Sequence, residues 1–408
     1  MSPARRRQRR RQAAGALLLV ALAIGAVLAA VLSHGRAEPP GLRSPARTTT
    51  VVLPAPVRAP GPKPVAQSQG VQFGANVNRV FENAAFTPAQ VNEQLASLQA
   101  TGATVARTDA LWEFSEPEPP SGGRHRYDWT FDDRVAGALA AHGLRWLPII
   151  DYSAGWDKLL PGRLHSPPRS PSDYADYAAA FAARYGPGGT FWSAHPSLPA
   201  LPIDALEVWN EPDNPTFWAP APDPTRYAQL YQQTRDTVNA TTPGIRVLIG
   251  GLFAPARFLP ALVTVAPALV GHIDGISVHP YGADPNTIVA RVVSDRQLLS
   301  RLGLGTVPLY VTEFGWTTSP PGARDYLLGQ LRPGYLAATL AGLARAGCGL
   351  ATVIAYTWVT ERQDPGLSEQ WYGIDSPSGA TGPDAAAFAF GLRGARALSR
   401  SPGPCAAR

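Results

Sequence analysis

The stretch ALEVWNEP, residues 205–212, decides how this chain is read. It opens as a short apolar run of the kind found in a strand buried on both faces. It then ends in an amide and a carboxylate, Asn210 and Glu211. Seven other runs share that character: VQFGANVN (71–78), TVARTDALW (104–112), RWLPIID (145–151), RVLIGGLF (246–253), GISVHPYG (275–282), PLYVTEFGW (308–316) and LATVIAYTWV (350–359). Between the runs lie amphipathic helical periods such as TPAQVNEQLASLQATG (87–102), with Thr87 placed to cap its start and Gly102 just past its end. FDDRVAGALAAHG (131–143), YADYAAAFAARYG (174–186) and RYAQLYQQTRDTVNAT (226–241) are others. Eight strand–helix pairs predict an α/β chain folded as a (β/α)8 TIM barrel over residues 71–400. The alternative, a doubly wound open sheet, usually has fewer units and a Gly-rich first turn. The GANVN after the first strand is no dinucleotide fingerprint.

The chain has 408 residues, 45% hydrophobic and 16% charged, enough for a large core. Its formal charge of +6 comes from 36 basic and 30 acidic side chains. Six of the basic residues are Arg5, Arg6, Arg7, Arg9, Arg10 and Arg11, and without them the remainder is neutral. A folded nucleic-acid-binding face needs basic residues spread over it, so no such partner is expected. Two cysteines exclude a disulfide scaffold, and seven scattered His with no CxxC give no metal-site spacing. Neither metal nor cofactor is expected.

Ala13 to Leu32 is an unbroken apolar run. Such a run spans about 30 Å as a helix, the thickness of a bilayer core. The Arg cluster before it would stay cytoplasmic by the positive-inside rule. The expected organisation is a cytoplasmic segment 1–11, a transmembrane signal anchor 12–33, a disordered linker 34–70 with eight Pro, the barrel, and a tail 401–408. The linker would act as a polyproline spacer of at most ~115 Å. The barrel would then lie outside the cell membrane, its carboxyl-end face pointing away from the bilayer. A cleaved signal peptide and a secreted enzyme remain the alternative.

In (β/α)8 barrels chemistry sits at the carboxyl ends of the strands. Those ends here carry Asn76 and Asn78, then Arg107, Asp109 and Trp112, Asp151 and Tyr152, and Asn210 and Glu211. The later strands add His279 and Tyr281, Glu313 and Trp316, and Trp358. A carboxylate on a buried strand costs several kcal/mol unless paired. Two, Glu211 and Glu313, on strands 4 and 7 converge on one cavity. Glycosidic bond cleavage asks for such a pair, one carboxyl to protonate the leaving oxygen and one to act opposite it. Two independent ion pairs, one of them with Arg107, are the bland alternative.

VWNEP (208–212), VTEFGW (311–316) and HPY (279–281) together resemble clan A of the glycoside hydrolases, families 39 and 5 in particular. YDWTFDDRV (127–135) also looks like the start of helix 2 in family 39. The resemblance implies a retaining mechanism with Glu211 as acid/base and Glu313 as nucleophile, their carboxyl groups about 5–5.5 Å apart. It implies that Asn210 binds the sugar 2-hydroxyl, that Tyr281 and Arg107 hold the nucleophile, and that His279 and Trp358 line the subsite of the reacting sugar. Trp358 would be a stacking floor. The strand 3 end DYSAGWDK matches no family pattern, which leaves Asp151 and Tyr152 as candidates only.

Seven of the ten Trp (112, 129, 156, 218, 316, 358 and 371) fall at strand ends or in the loops that follow. A surplus of indoles on that face suits carbohydrate, although Trp is commonly core filler. Loops 113–129, 152–171 and 359–384 could wall a polysaccharide groove. Trp112 and Trp316 are therefore further substrate-binding candidates. A non-catalytic carbohydrate-binding barrel and a transglycosylase using the same residues are the rival functions. The protein is expected to act as a monomer. Cys348 and Cys405 follow helices 7 and 8 on the amino-end face and are expected to pair.

Overall fold

The computed structural model describes residues 70–81, 86–360, 363–379, 381–398 and Cys405. The expected Arg-rich segment, apolar anchor and linker up to residue 69 lie outside the described residues, as does the tail apart from Cys405. The chain divides into Met1–Gly61 and Pro62–Arg408, and only the second unit is described. No helix among the described residues is long and apolar enough to cross a membrane.

Eight parallel strands close into a barrel in sequence order: β1 Gln72–Asn76, β2 Val105–Leu111, β3 Arg145–Asp151, β4 Ala205–Val208, β5 Arg246–Leu252, β6 Gly275–Val278, β7 Leu309–Val311 and β8 Leu350–Ala355. Each strand is followed by an outer helix: α1 Pro88–Ala100, α2 Thr130–Ala141, α3 Pro171–Tyr185, α4 Pro224–Thr241, α5 Pro255–Val265, α6 Pro285–Arg301, α7 Arg332–Ala346 and α8 Pro383–Leu398. Four of them start with one device, a capping side chain followed by Pro. Thr87, Ser170, Asp223 and Asp284 accept from backbone N–H groups of the first turn, and Pro fills a position whose N–H needs no partner. At Thr87 the capping box with Gln90 is complete.

Side chains alternate across each strand. The outward set packs against the helices in one continuous core that includes Phe73, Leu206, Val208, Val247 and Val353. The inward set begins with an apolar plug near the amino ends, Val105, Leu147, Ala205, Leu248, Tyr310 and Ile354. One alternation further along, the interior changes character. Two residues beyond Val105 and Ala205 stand Arg107 and Glu207, both completely buried.

The strands end earlier than the sequence runs suggest. β4 stops at Val208, β6 at Val278 and β7 at Val311, so the functional residues beyond them lie past the ladder. After β4 the cause is local. Trp209 and Glu211 have φ of 70° and 44°, in the left-handed region, which turns the chain out of the strand. On the opposite face Cys348 and Cys405 form the expected disulfide, with Cα atoms 4.8 Å apart.

Candidate active site

Arg107 organises the centre of the barrel. Its Nε donates to Glu207 Oε2 at 2.5 Å, Nη1 to Glu313 Oε1 at 2.8 Å and Nη2 to Asn210 Oδ1 at 3.0 Å. A planar guanidinium with a fixed fork of donors suits three partners on two strands ends better than Lys would. Burial opposes its charge, but Glu207 and Glu313 more than offset that and hold it firmly protonated. Glu313 has a second donor, the Tyr281 hydroxyl, at 2.7 Å from Oε2. Burial alone would push Glu313 up. His279, Arg107 and the Tyr281 hydrogen bond outweigh burial and hold it below the usual carboxylate range. Tyr281 itself, buried beside that anion, is raised well above its ordinary value and stays a donor.

Glu211 is held differently. His279 Nδ1 lies 2.8 Å from its Oε1, and Asn214 Nδ2 donates to its Oε2 at 2.6 Å. The same His279 Nδ1 stands 3.6 Å from Glu313 Oε2. One carboxylate oxygen of each Glu and a ring nitrogen of His279 all fall within 4.8 Å of one another. Burial lowers the His279 pKa, but Glu313 and the bonded Glu211 outweigh it and raise it. His279 therefore holds its proton more tightly than a free imidazole does. The ring fits because position 251 is glycine: a Cβ there would lie 2.0 Å from His279 Nε2.

The structure thus brings together Arg107, Asn210, Glu211, His279, Tyr281 and Glu313. It turns three other candidates, all indoles, away from that group. Trp112 is fully buried, stacked on Tyr177 with centroids 5.9 Å apart, and its Nε1 donates to Glu116 Oε2. Trp316 is buried with Nε1 bound to Gly282 O at 2.8 Å. Trp358 is fully buried, donates to Gln94 O at 3.0 Å and packs on Phe388, so it is no open floor. Asp151 is also fully buried, and its charge bears on Tyr152, Tyr174 and Tyr177 in the barrel wall. The physical reason is common to the three indoles. Each N–H finds an acceptor on a neighbouring segment, Glu116, Gly282 or Gln94 of α1, so the Trp side chains are turned into the packing and away from the cavity.

The rings that keep some surface near the carboxylates are others. Tyr356, one alternation past Ile354, is half-buried, carries its hydroxyl 3.2 Å from Glu369 Oε2, and feels the charge of Glu313. Tyr152 is half-buried, hydrogen-bonds the Asn210 side chain and feels Glu211. Glu207 and Asn214 were not singled out from the sequence. A period-two reading of Ala205 and Glu207 would have pointed Glu207 inward.

Neither a family model nor a curated protein sequence matches the chain. Solved structures do. The fold is similar to a GH39 enzyme from Xanthomonas axonopodis pv. citri (TM-score 0.62, 19% identity, 79% of this chain and 66% of that one). It is similar to a monomeric β-xylosidase from Caulobacter crescentus CB15 (TM-score 0.61, 18% identity, 79% of this chain and 69% of that one). A GH5_18 protein from Streptomyces cattleya, solved in complex with GlcNAc, aligns with TM-score 0.58 and 18% identity over 83% of each chain. The chain thus spans about two thirds of the length of the Xanthomonas enzyme. At these identities the likeness is one of fold: this chain has the (β/α)8 barrel found in glycoside hydrolase families 39 and 5.

Proposed function

We propose that the protein is a retaining glycoside hydrolase acting on β-linked oligo- or polysaccharide, with Glu313 as nucleophile and Glu211 as acid/base. The observation that carries this reading is the unequal holding of two converging carboxyl groups. Glu313 receives two donors, from Arg107 and Tyr281, and is kept an anion. Glu211 shares a hydrogen bond with a histidine whose proton affinity is raised. Environments that separate two carboxyl groups in this way fit an anion and a proton donor. One oxygen of each carboxyl group lies within 4.8 Å of the other, which is in keeping with the ~5–5.5 Å carboxyl spacing of retaining enzymes.

In the first step Glu313 attacks the anomeric carbon while Glu211 passes its proton to the glycosidic oxygen. His279 keeps that proton in reserve. Asn210, its carbonyl turned to Arg107, presents an amide N–H to the sugar 2-hydroxyl. In the second step Glu211 takes a proton from water, which attacks the same carbon and frees Glu313. A sugar hydroxyl in place of water would make the same site a transglycosylase. A barrel that only binds carbohydrate has no need of two carboxyl groups held so differently side by side.

The apolar run 13–32 behind an Arg cluster supports an anchored, extracytoplasmic enzyme, and the Cys348–Cys405 disulfide suits an oxidising compartment. The test is to incubate the purified protein with β-linked disaccharides and aryl β-glycosides and follow the released anomer by NMR. First-formed β-product supports the reading. First-formed α-product, or no cleavage of any of them, contradicts it.

A further inference from the structure

A row of three partly exposed rings runs beside the acid. Tyr152, directly after β3, has its centroid 4.5 Å from His165 in the β3–α3 loop, and His165 lies 5.0 Å from Phe217 in the β4–α4 loop. All three keep part of their surface open. The row is held from beneath and from the side. Tyr152 meets the buried Trp209 edge-on at 5.0 Å, and Trp209 Nε1 donates to Phe217 O at 2.6 Å. The Ala219 N–H donates to His165 O at 3.0 Å, which ties the two loops together. His165 Nδ1 lies 2.6 Å from Thr216 O. A carbonyl can only accept, so Nδ1 carries a proton, and burial keeps the ring neutral by lowering its pKa. His165 Nε2 is then a bare acceptor with no hydrogen-bond partner among the described residues.

We propose that Tyr152, His165 and Phe217 form the subsite for the leaving group, and that this subsite takes a second sugar ring. Its C–H face packs on the aromatic row and one of its hydroxyls donates to His165 Nε2. The inference rests on Glu211 being the acid. In a double displacement the nucleophile and the acid stand on opposite sides of the scissile bond, so groups on the acid's side meet the departing part. Tyr152 bonds Asn210 and feels Glu211. Phe217 closes the turn whose Asn214 holds Glu211. The other aromatic group, Tyr281, Tyr356 and Tyr372, gathers on the side of Glu313. The enzyme is accordingly built to release a saccharide, and small leaving groups forgo this binding.

The test uses the whole protein with xylobiose, mannobiose and cellobiose, each beside the matching β-glycosyl fluoride, whose leaving atom is too small to reach the row. Phe217→Ala should lower kcat/KM on the disaccharide that is cleaved by about tenfold, with a loss on the fluoride several-fold smaller. His165→Ala should show the same split, and His165→Gln, which keeps an acceptor, should recover part of the disaccharide rate. Equal losses on both substrates, or no loss on the disaccharide, overturn the subsite. A wild-type protein that cleaves a fluoride but none of the disaccharides overturns the subsite alone. One that cleaves nothing contradicts the glycosidase reading, and the subsite falls with it.

Discussion

Arg107 places one guanidinium nitrogen 2.8 Å from Glu313 Oε1 while its Nε is engaged by Glu207, a second fully buried carboxylate. The charge available to Glu313, the proposed nucleophile, is therefore divided. Glu207→Gln keeps an acceptor for Nε and removes the competing anion, so Glu313 should ionise at lower pH and become a weaker nucleophile. The acid limb of kcat/KM should move down in pH, with kcat falling about tenfold. An unmoved acid limb would mean that Glu207 only fills space. Arg107→Met should raise that limb and cost far more, because it strands two buried anions.

On the proposed roles, the alkaline limb belongs to the proton that His279 holds beside Glu211. Because the His279 pKa is raised, that proton should persist above the ordinary histidine range of about 6.5. His279→Gln removes this reserve, so the alkaline limb should shift to lower pH, and the acid limb should rise because Glu313 loses the charge of His279. A pH–rate profile of the variant decides it, and an unchanged alkaline limb would speak against the shared proton.

Glu211→Gln should slow cleavage of poor leaving groups by about 10²–10⁴-fold and affect a dinitrophenyl glycoside far less, since that leaving group departs without a proton. Azide should restore turnover and give the β-glycosyl azide. Equal losses with both leaving groups would remove Glu211 from the acid role.

A fourth prediction concerns stability. Asp132, in the first turn of α2, is fully buried with Oδ2 accepting from Ser115 at 2.7 Å, and burial pushes its carboxyl up to about 7. Its folded value lies above its unfolded one, so the fold disfavours the charged form. This contribution is fully present below about pH 4 and is lost as pH rises through about 7, at most about 4 kcal/mol. Asp132→Asn should raise Tm at pH 8 and leave it little changed at pH 4. A pH-independent effect on Tm would contradict the assignment.

Much of this architecture is legible in the residues because periodicity and capping are local. RWLPIID is β3 at both ends, and Thr87 caps α1 as its position predicts. The site is legible where residue type forces the chemistry: two carboxylates and an arginine on inward strands have few other uses. Sequence misleads where a side chain's direction is set by tertiary bends. Trp358 looks like a stacking platform by type. It lies past the turn at the end of β8, which sends it against α8, while Tyr356 keeps the inward register. Trp112 and Trp316 misdirect for the same reason, since an indole at a strand end can face a loop as well as a cavity. Glu207 hides in an apolar run whose alternation is visible only when the strand is counted by twos.

The central claim is that Glu313 forms a covalent bond to the sugar. The direct measurement is to incubate the protein with 2-deoxy-2-fluoro β-glycosyl fluorides of xylose, mannose and glucose, then weigh the intact chain and map the labelled peptide. The account predicts a mass increase of one fluorosugar carried by Glu313 and abolished in Glu313→Gln. A label on another residue, or turnover of the natural glycoside by Glu313→Gln at the wild-type rate, would contradict it.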